Sequence, residues 1–366
     1  MPDKEKNMTD IFLNGRFLVQ SLSGVQRFAL EMTRALNAQW PASLEKRALI
    51  LTPHSDQQAP ADLPVKACGS FKGQLWEQIS LPAASRSGLL VNLGNTGPVL
   101  PALFGRRQIV VIHDAGVFST PQSYSWKFRL YYKILHKLLA MGKTRIVTVS
   151  EFARQDIARH LKINPARISV ITEGADHAIR TPEDASILSR HDLQPGQYVL
   201  AVGNKAPHKD FAALGHLAST LAEKGVQLVI SGGMNSRVFG ENAPDLSHAT
   251  YVGRVSDEEL RALYSHAACF VFPSIYEGFG LPPVEAMKCG CPVVARDIPV
   301  LREVCEPAAL FGSTPQDLTA QVVKILDDTA LADTLREQGK QHAERYRWDI
   351  AAARLLAVIQ QEAAKC

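Results

Sequence analysis

The sequence predicts an α/β protein built from two doubly wound parallel sheets. Its 366 residues exceed what one ordinary core requires and suit two domains of about 150–200 residues each. Short apolar runs alternate with amphipathic stretches along the chain, which is typical of βα units and parallel sheets. The polar stretch 181–197, with Pro182 and Pro195-Gly196, interrupts this alternation and predicts a domain boundary.

Each half of the chain contains its own series of predicted elements. The first half has strands predicted at 11–13, 48–52, 88–93, 108–112, 145–149 and 168–171, with helices at 25–39, 125–141 and 151–161. The second half has strands predicted at 198–202, 227–231, 250–252, 269–272 and 292–295, with helices at 211–224, 257–267 and 331–346. A last apolar-faced helix is predicted at 350–364, with Trp348 as its anchor.

The composition is globular, but the charge is unevenly distributed. An apolar fraction of 46% and a mean hydropathy of −0.05 exclude disordered, fibrous and low-complexity classes. The net charge of +4 conceals 23 basic and 13 acidic residues in positions 1–180, against 17 and 23 in positions 181–366. A basic half attracts phosphate groups, whether in nucleic acid, lipid headgroups or substrates.

The chain carries the features of a cytoplasmic protein. Its charged first residues are followed by no long apolar stretch, so we expect no secretory signal. No segment approaches the roughly 18 apolar residues that cross a bilayer. The six cysteines do not form a disulfide framework, and Cys289-Gly-Cys291 is too tightly spaced for a zinc site, so we expect reduced thiols.

The most informative motif is the fourteen-residue string SIYEGFGLPPVEAM at 274–287, which follows the predicted strand 269–272. Gly278 and Gly280 let the backbone approach a ligand closely, and the two prolines suit the first turn of a helix. The amides of a helix N-terminus bind anions. Glu277 precedes this helix and Glu285 lies inside it, so one carboxylate reaches past bound phosphates while the other faces a ribose.

This string resembles the Glu–seven–Glu signature of family 4 glycosyltransferases, which are retaining enzymes with the GT-B fold. Four further segments resemble that family in the same order along the chain: Ser23-Gly24-Val25-Gln26-Arg27-Phe28, Val147-Thr148-Val149-Ser150-Glu151-Phe152, Val202-Gly203-Asn204 with Pro207-His208-Lys209, and 252–260. The resemblance implies two Rossmann-like domains facing a central cleft, at 1–185 for the acceptor and membrane side and 186–346 for the donor. It also implies that a C-terminal helix at 347–366 packs back on the first domain.

The resemblance implies roles for individual residues. Lys209 would neutralise the departing diphosphate, Glu277 would hold sugar hydroxyls, and His113 would contact the transferred sugar. Glu285 would bind the ribose, while the backbone of Gly278, Phe279, Gly280 and Leu281 would contact the α-phosphate or the sugar. In this mechanism no Asp or Glu nucleophile is required, because the leaving phosphate itself accepts the proton of the acceptor hydroxyl.

Further donor contacts are expected from Gly24, at the start of the first helix, and from Gly203 and Asn204 after the strand 198–202. Many family members have an arginine where this chain has Asn204, and Lys205 or Arg254 could compensate for it. No cofactor or metal is expected. The Asp-x-Asp that holds a cation in the other common sugar-transferase fold does not occur here.

The segments around Gly24 and Lys209 look most like those of bacterial mannosyl- or related hexosyltransferases of surface-polysaccharide assembly, such as lipopolysaccharide. We therefore expect a nucleotide-sugar donor and favour GDP-mannose, with UDP-glucose, UDP-galactose and dTDP- or UDP-deoxysugars as alternatives. The expected acceptor is a glycan, free or linked to a polyprenyl diphosphate.

Segment 124–167 holds ten basic and two acidic residues, with four aromatic residues on its first helix. This pattern favours peripheral contact with an anionic membrane, here its inner face. The alternative is a packing helix whose aromatic residues fill the core.

For the whole chain, the alternative of a non-catalytic regulator that binds a nucleotide sugar stays open. The sequence contains no nucleic-acid recognition motif and no G-x-G-x-x-G of a dehydrogenase. We therefore expect neither a nucleic-acid partner nor dehydrogenase activity.

Overall fold

The computed structural model describes residues 10–40, 48–53, 64–204, 206–232, 246 and 248–365. The chain divides into two compact units. The first contains the described residues up to Ser119, Ser125–Gly174 and the residues from Trp348 onward, and the second contains Thr120–Tyr124 and Ala175–Arg347.

The observed boundary after Gly174 lies upstream of the predicted boundary after residue 185. Hydrogen bonds explain this difference, since the 3₁₀ helix Asp176–Ile179 is tied to the second unit. The His177 ring bonds to Glu285 at 2.9 Å, and the amide of Ala175 donates to the Tyr346 carbonyl at 2.9 Å. The polar stretch 181–197 is not a linker between the units. It lies inside the second unit and contains a short helix.

The first unit is built on a seven-stranded parallel sheet in the order β3-β2-β1-β4-β5-β6-β7. Its central strands are buried apolar runs, as expected for a sheet covered on both faces. The strands are β1 Asp10–Asn14, β2 Leu49–Thr52, β3 Val65–Ala67, β4 Gly88–Asn92, β5 Gln108–Val111, β6 Thr144–Thr148 and β7 Ile168–Val170.

Two helices of the first unit, those after Ser125 and Ser150, begin at serines whose side chains cap them. The hydroxyl of Ser150 accepts from the amide of Ala153, which satisfies one of the free amides of the helix start. The helices are α1 Gly24–Ala38, α2 Gly73–Leu75, α3 Leu81–Ala84, α4 Val99–Leu103, α5 Gly116–Ser119, α6 Trp126–Met141 and α7 Glu151–Leu161, with a π-helical turn at Trp76–Ser80.

The second unit is built on a six-stranded parallel sheet in the order β10-β9-β8-β11-β12-β13. Its strands are β8 Tyr198–Val202, β9 Gln227–Ser231, β10 Ala249–Gly253, β11 Cys269–Phe272, β12 Val293–Arg296 and β13 Ala309–Gly312. Its helices are α8 Ser186–Arg190, α9 Gly215–Glu223, α10 Asp257–His266, α11 Leu281–Lys288, α12 Pro299–Cys305, α13 Pro315–Asp327 and α14 Thr329–Ala343.

The predicted helix at 211–224 is in fact two segments, the 3₁₀ helix Phe211–Leu214 followed by α9. Asp210 has a φ of 45°, and the amide of Ala213 donates back to its carbonyl at 3.0 Å, so the first turn is wound more tightly than an α-helix.

The last helix, α15 Trp348–Ala363, belongs to the first unit and packs against α1. Trp348 meets the Phe28 ring edge-on at 5.7 Å, and Arg107 pairs with Glu362 at 2.9 Å. The expected return of the C-terminal helix to the first domain is therefore present in the fold.

In both sheets the strand order reverses at one point, between β1 and β4 in the first unit and between β8 and β11 in the second. Ligands of open α/β sheets bind beyond the carboxyl ends of the strands at such a reversal. Each unit therefore has one position at which a ligand site is expected. None of the described helices is long and apolar enough to span a membrane.

Candidate functional site

The structure joins Lys209 and Glu277 at the strand reversal of the second unit. Lys209 ends the 3₁₀ helix Pro207–Lys209 after β8, and Glu277 lies in the loop between β11 and α11. The Lys209 Nζ is 2.6 Å from the Glu277 Oε1 and 5.4 Å from the centre of the Phe272 ring. Both side chains are largely buried, so the ion pair is shielded from water.

A buried arginine fixes the loops that carry this pair. Arg296, at the end of β12, donates to the Asp210 carboxylate at 2.6 Å and to the Pro273 carbonyl at 3.2 Å. A third bond reaches the Ser313 carbonyl at 3.1 Å. Burial raises the pKa of Asp210, and the Arg296 guanidinium acts in the opposite direction. Arg296 thereby ties together the loops that follow β8, β11 and β13.

The glycine-containing segment after Glu277 presents its backbone. Gly280 has a φ of +96°, and a Cβ there would lie 2.6 Å from the Leu301 Cδ2, so this position requires glycine. Phe279 and Leu281 are buried, and the Phe279 ring meets Tyr346 edge-on at 5.4 Å. Their side chains therefore serve the core, and only their backbone can meet a ligand.

Glu285 lies on α11 and is held on both oxygens. The His177 Nε2 is 2.9 Å from its Oε1, and the Tyr264 hydroxyl donates to its Oε2 at 3.2 Å. The side chain of Glu285 is only 10% exposed. An ionised carboxylate has about four acceptor positions, so two positions, one on each oxygen, stay unoccupied by these two donors.

The other predicted donor contacts of the second unit are used differently. The amide of Gly203 donates to the Ser231 carbonyl at 3.0 Å, and a Cβ there would come within 3.0 Å of the Phe211 ring. The Asn204 side chain accepts from the amide of Ala206 at 3.1 Å and so closes a local turn. Arg254 is exposed after β10. Lys205 lies outside the described residues.

His113 in the first unit follows β5 and is buried with both ring nitrogens engaged. Its Nε2 donates to the Leu93 carbonyl at 3.0 Å, and its Nδ1 is 3.4 Å from the Glu173 carboxylate. The Phe28 ring meets it edge-on at 4.7 Å, and its amide donates to the Asn95 side chain at 2.8 Å. These contacts fix the orientation of the imidazole ring.

Gly24 is the first residue of α1, as predicted. A Cβ on it would meet nothing within 4 Å, so packing inside the protein does not require glycine here. The side chain of the preceding Ser23 donates to Gln26.

Beside this helix start lies a pocket of about 180 Å³ at the strand reversal of the first unit. Its floor is a buried polar network. Glu77, only 1% exposed, accepts from the Asn14 amide at 2.7 Å and from the Thr96 hydroxyl at 2.8 Å. Its second oxygen pairs with the Arg16 guanidinium at 2.5 Å. Every polar atom of this carboxylate therefore has a donor, as a buried charge requires.

Comparisons with known proteins show the family to which the chain belongs. Residues 189–342 match the family described as "Glycosyl transferases group 1", and residues 90–179 match "Glycosyltransferase Family 4". The O-antigen chain mannosyltransferase B of Escherichia coli is 32% identical over 259 residues, which are 66% of this chain and 67% of that protein. The chain belongs to glycosyltransferase family 4.

Other relatives and solved structures extend the likeness of this family 4 glycosyltransferase. The O-antigen chain mannosyltransferase RfbU of Salmonella typhimurium is 28% identical over 271 residues, covering 71% of this chain and 72% of that protein. The structure of WaaG, a glycosyltransferase involved in lipopolysaccharide biosynthesis, superposes with a TM-score of 0.70 at 14% identity, covering 95% and 98% of the two chains. HepE of Anabaena, in complex with UDP and glucose, gives a TM-score of 0.71 at 17% identity, covering 97% and 100%.

These matches confirm the GT-B fold and make the chain a glycosyltransferase. Five residues that the sequence did not predict hold these arrangements together. His177 and Tyr264 bond to Glu285, Arg296 bonds to Asp210, and Arg16 pairs with Glu77. None of them belongs to a motif, and only their partners show their importance. Among the described residues, no group of three or more His, Cys, Asp or Glu side chains is placed to hold a metal ion.

Proposed function

We propose that the chain transfers a mannosyl residue from GDP-mannose to a glycan, with retention of anomeric configuration and without a metal. The observation that carries this proposal is the buried Lys209–Glu277 pair at the strand reversal of the second sheet. The sugar is inferred from relatives whose names specify mannosyl transfer: O-antigen chain mannosyltransferase B, RfbU and the MMP alpha-(1->4)-mannosyltransferase of Mycolicibacterium hassiacum.

In the proposed reaction the protein supplies positioning and charge. Lys209 leaves Glu277 to bind the diphosphate, whose negative charge grows as the sugar departs. Glu277 is then free to accept hydrogen bonds from sugar hydroxyls, and the two open acceptor positions of Glu285 suit the paired ribose hydroxyls. The leaving phosphate takes the proton of the acceptor hydroxyl on the same face of the sugar, and His113 contacts the transferred sugar.

Nucleotide binding and transfer test this proposal. Thermal shift with GDP, UDP and dTDP should give the largest stabilisation with GDP, because a ligand that binds only the folded state raises its melting temperature. Labelled GDP-mannose should then be hydrolysed or transferred to a glycan. The variant Lys209→Met should weaken GDP binding at least tenfold, while Lys224→Met, which removes a lysine paired with Asp327 elsewhere in the unit, should leave it unchanged.

Other results would select the alternatives. Stronger stabilisation by UDP or dTDP than by GDP would indicate a UDP- or dTDP-sugar donor. Binding of GDP-mannose without hydrolysis or transfer would indicate a regulatory protein. Binding that Lys209→Met leaves intact would contradict the assigned site.

We further propose that the first unit contacts an anionic membrane through one face of α6, which also suits a lipid-linked acceptor at the inner face of the cytoplasmic membrane. Exposed Lys127, Leu130, Ile134, Lys137 and Met141 follow at intervals of three or four residues and so share this face. Such a mixture of basic and apolar side chains fits the interface of a bilayer, where each basic residue adds about 1 kcal/mol.

Neighbouring residues enlarge this surface. Phe104, which follows the adjoining helix α4, is 87% exposed, and the Ala102 carbonyl of α4 accepts from the amide of Lys143. The aromatic residues Trp126 and Phe128 are exposed instead of filling the core, which disfavours the alternative of a packing helix.

Sedimentation with vesicles tests the membrane contact. Vesicles containing phosphatidylglycerol should bind the protein, neutral phosphatidylcholine vesicles should not, and salt should reduce binding because the charges are exposed. The double variant Lys127→Glu/Lys137→Glu should lose binding. Charge reversal at the exposed Lys324 of the second unit is the matched control and should retain it. Absence of salt-sensitive binding by the wild type would refute the contact.

A further inference from the structure

The pocket at the strand reversal of the first unit is built from residues that the proposed reaction has not yet used. Asn14 ends β1 and Arg16 follows it, and Asn95 and Thr96 follow β4. The order of the sheet reverses between these two strands. The pocket therefore lies where an open parallel sheet is expected to bind a ligand, and its lining residues all belong to the first unit.

The pocket carries no net charge. Among the described residues that line it, Arg16 and Glu77 are the charged ones, and they neutralise each other at 2.5 Å. Burial raises the pKa of the Tyr132 phenol, so this hydroxyl is neutral at physiological pH. A phosphate placed here would find its cation already bound to a buried carboxylate. The charge balance therefore disfavours an anionic ligand.

The rest of the lining offers groups that both donate and accept hydrogen bonds. Gln26 donates to the Gln20 side chain at 3.0 Å and accepts from Ser23, which makes a rim of amides and hydroxyls around the pocket. Each hydroxyl of a sugar also donates one hydrogen bond and accepts two, so such a lining complements it. The rings of Phe17 and Tyr132 add the apolar surface that ligand pockets commonly contain.

Asn95 connects this pocket to His113. The Asn95 side chain accepts from the amide of His113 at 2.8 Å, while its own carbonyl is 2.9 Å from the His136 ring. Asn95 has a φ of 62°, a conformation uncommon for residues other than glycine, which these bonds maintain. One residue thus forms a wall of the pocket and positions the backbone of the histidine expected to contact the transferred sugar.

We propose that this pocket binds a neutral terminal sugar of the acceptor and excludes phosphorylated acceptors, with the Arg16–Glu77 pair as the determinant of that choice. This inference rests on the proposed function, since a sugar transferase requires an acceptor. It assigns the chain to the extension of an existing glycan and not to the attachment of a first sugar to a lipid phosphate.

Direct binding tests the inference without relying on transfer. Saturation-transfer NMR is measured with the methyl glycosides of mannose, glucose, galactose and N-acetylglucosamine, and with the 6-phosphate of methyl α-mannoside. At least one neutral glycoside should show saturation, and the phosphorylated compound should not displace it. Gln26→Ala, which removes the rim contacts, should reduce the signal at least fivefold. The matched control Gln155→Ala, on the exposed face of α7, should retain it.

Changing the charge of the pocket tests the assigned determinant. Glu77→Gln leaves Arg16 without its partner, so the affinity for the phosphorylated glycoside should rise about tenfold. Because that variant leaves an uncompensated charge and can fail to fold, the double variant Arg16→Gln/Glu77→Gln is the second measurement. It keeps the pocket uncharged and should preserve the preference for the neutral glycoside.

The outcomes separate this inference from the proposed function. Absence of saturation with every neutral glycoside, an unchanged signal in Gln26→Ala, or tighter binding of the phosphorylated compound to the wild type would overturn the inference. GDP binding measured on the same samples tests the donor site alone. Glycoside binding without GDP binding would support the pocket and contradict the proposed donor.

Discussion

At the scale of single residues, Glu285 shows how a motif residue depends on side chains outside the motif. The sequence indicates a ribose ligand on a helix, yet the carboxylate in the fold already accepts from His177 and Tyr264. These two donors fix its plane and leave one acceptor position on each oxygen. Two vicinal hydroxyls match this geometry, because they can donate to both oxygens at once.

Glu285→Gln is therefore expected to weaken GDP binding about tenfold or more, since a hydrogen bond to a charged group contributes roughly 1.5–3 kcal/mol. His177→Ala should weaken it less, because the carboxylate loses one of the two bonds that orient it. His177→Gln, whose amide can replace the Nε2 donor, should largely restore binding. Isothermal titration calorimetry with GDP measures all three variants, after their melting temperatures show that each is folded. Equal affinity of Glu285→Gln and wild type would contradict the assignment.

The residues at strand ends were predictable from the sequence, because chain order and strand periodicity place them there. Lys209, Glu277 and His113 each follow a strong apolar run, and the structure has each of them after a strand. Glu77 and His177 could not be found in this way. Glu77 bonds to a side chain 63 positions away and His177 to one 108 positions away, so only the folded chain reveals their partners.

At the scale of elements, the central strands and the edge strands β7 and β10 were predicted from the sequence, whereas the edge strands β3 and β13 were not. The three-residue β3 and the four-residue β13 lie at sheet edges, where half-exposed side chains give little periodicity. The start of the second unit was also misplaced. The composition of the 3₁₀ helix Asp176–Ile179 does not distinguish it from the first unit. Its hydrogen bond to Glu285 on α11 places it in the second unit.

The packing of the C-terminal helix extends to the predicted catalytic histidine. Trp348 contacts Phe28, and Phe28 contacts His113, so a continuous chain of rings connects α15 with the end of β5. Trp348 is 2% exposed. The helix therefore braces α1 and, through it, one side of the histidine ring.

Trp348→Ala should lower the free energy of unfolding of the first unit by about 3–5 kcal/mol, the usual effect of truncating a buried aromatic side chain. Differential scanning calorimetry is the measurement, because a chain of two units can unfold in two transitions. Ile350→Ala, at a partly exposed position of the same helix, is the control and should change stability by less than about 1 kcal/mol. Similar melting profiles for Trp348→Ala and wild type would show that α15 does not brace the unit.

At the scale of the whole molecule, the two units share one architecture, a parallel sheet with a single reversal of strand order, but differ in charge. Each places its polar site where the strand order reverses, with Lys209 and Glu277 in one unit and the Arg16–Glu77 pocket in the other. The acidic half carries the proposed diphosphate site, so a local cation and not the net charge of the unit must hold the donor. The basic excess of the other half coincides with the exposed face of α6, whereas its pocket is neutral.

Both units also contain histidines whose pKa lies below the usual histidine value. Burial lowers the pKa of His136 in the first unit, although its bond to the Asn95 carbonyl and the Asp114 charge act in the opposite direction. Burial likewise lowers the pKa of His160 in the first unit and the pKa of His342 in the second unit. A histidine with a folded-state pKa below its usual value near 6.5 takes up its proton more readily in the unfolded chain. The stability it contributes is then complete above about pH 6.5 and declines as the pH falls toward the folded-state pKa.

Thermal melts between about pH 7.5 and about pH 5 should therefore show a melting temperature that falls with acidification, below the usual histidine pKa near 6.5. His136 is the most informative position because it is buried, and its maximum effect is about 1.4 kcal/mol per pH unit. His136→Gln keeps a donor for the Asn95 carbonyl and cannot take up a proton, so its melting temperature should depend less steeply on pH. The exposed His248 gives the matched control, since His248→Gln should keep the wild-type slope. If His136→Gln and the wild type lose stability at the same rate, protonation of this histidine does not contribute to the acid sensitivity of the fold.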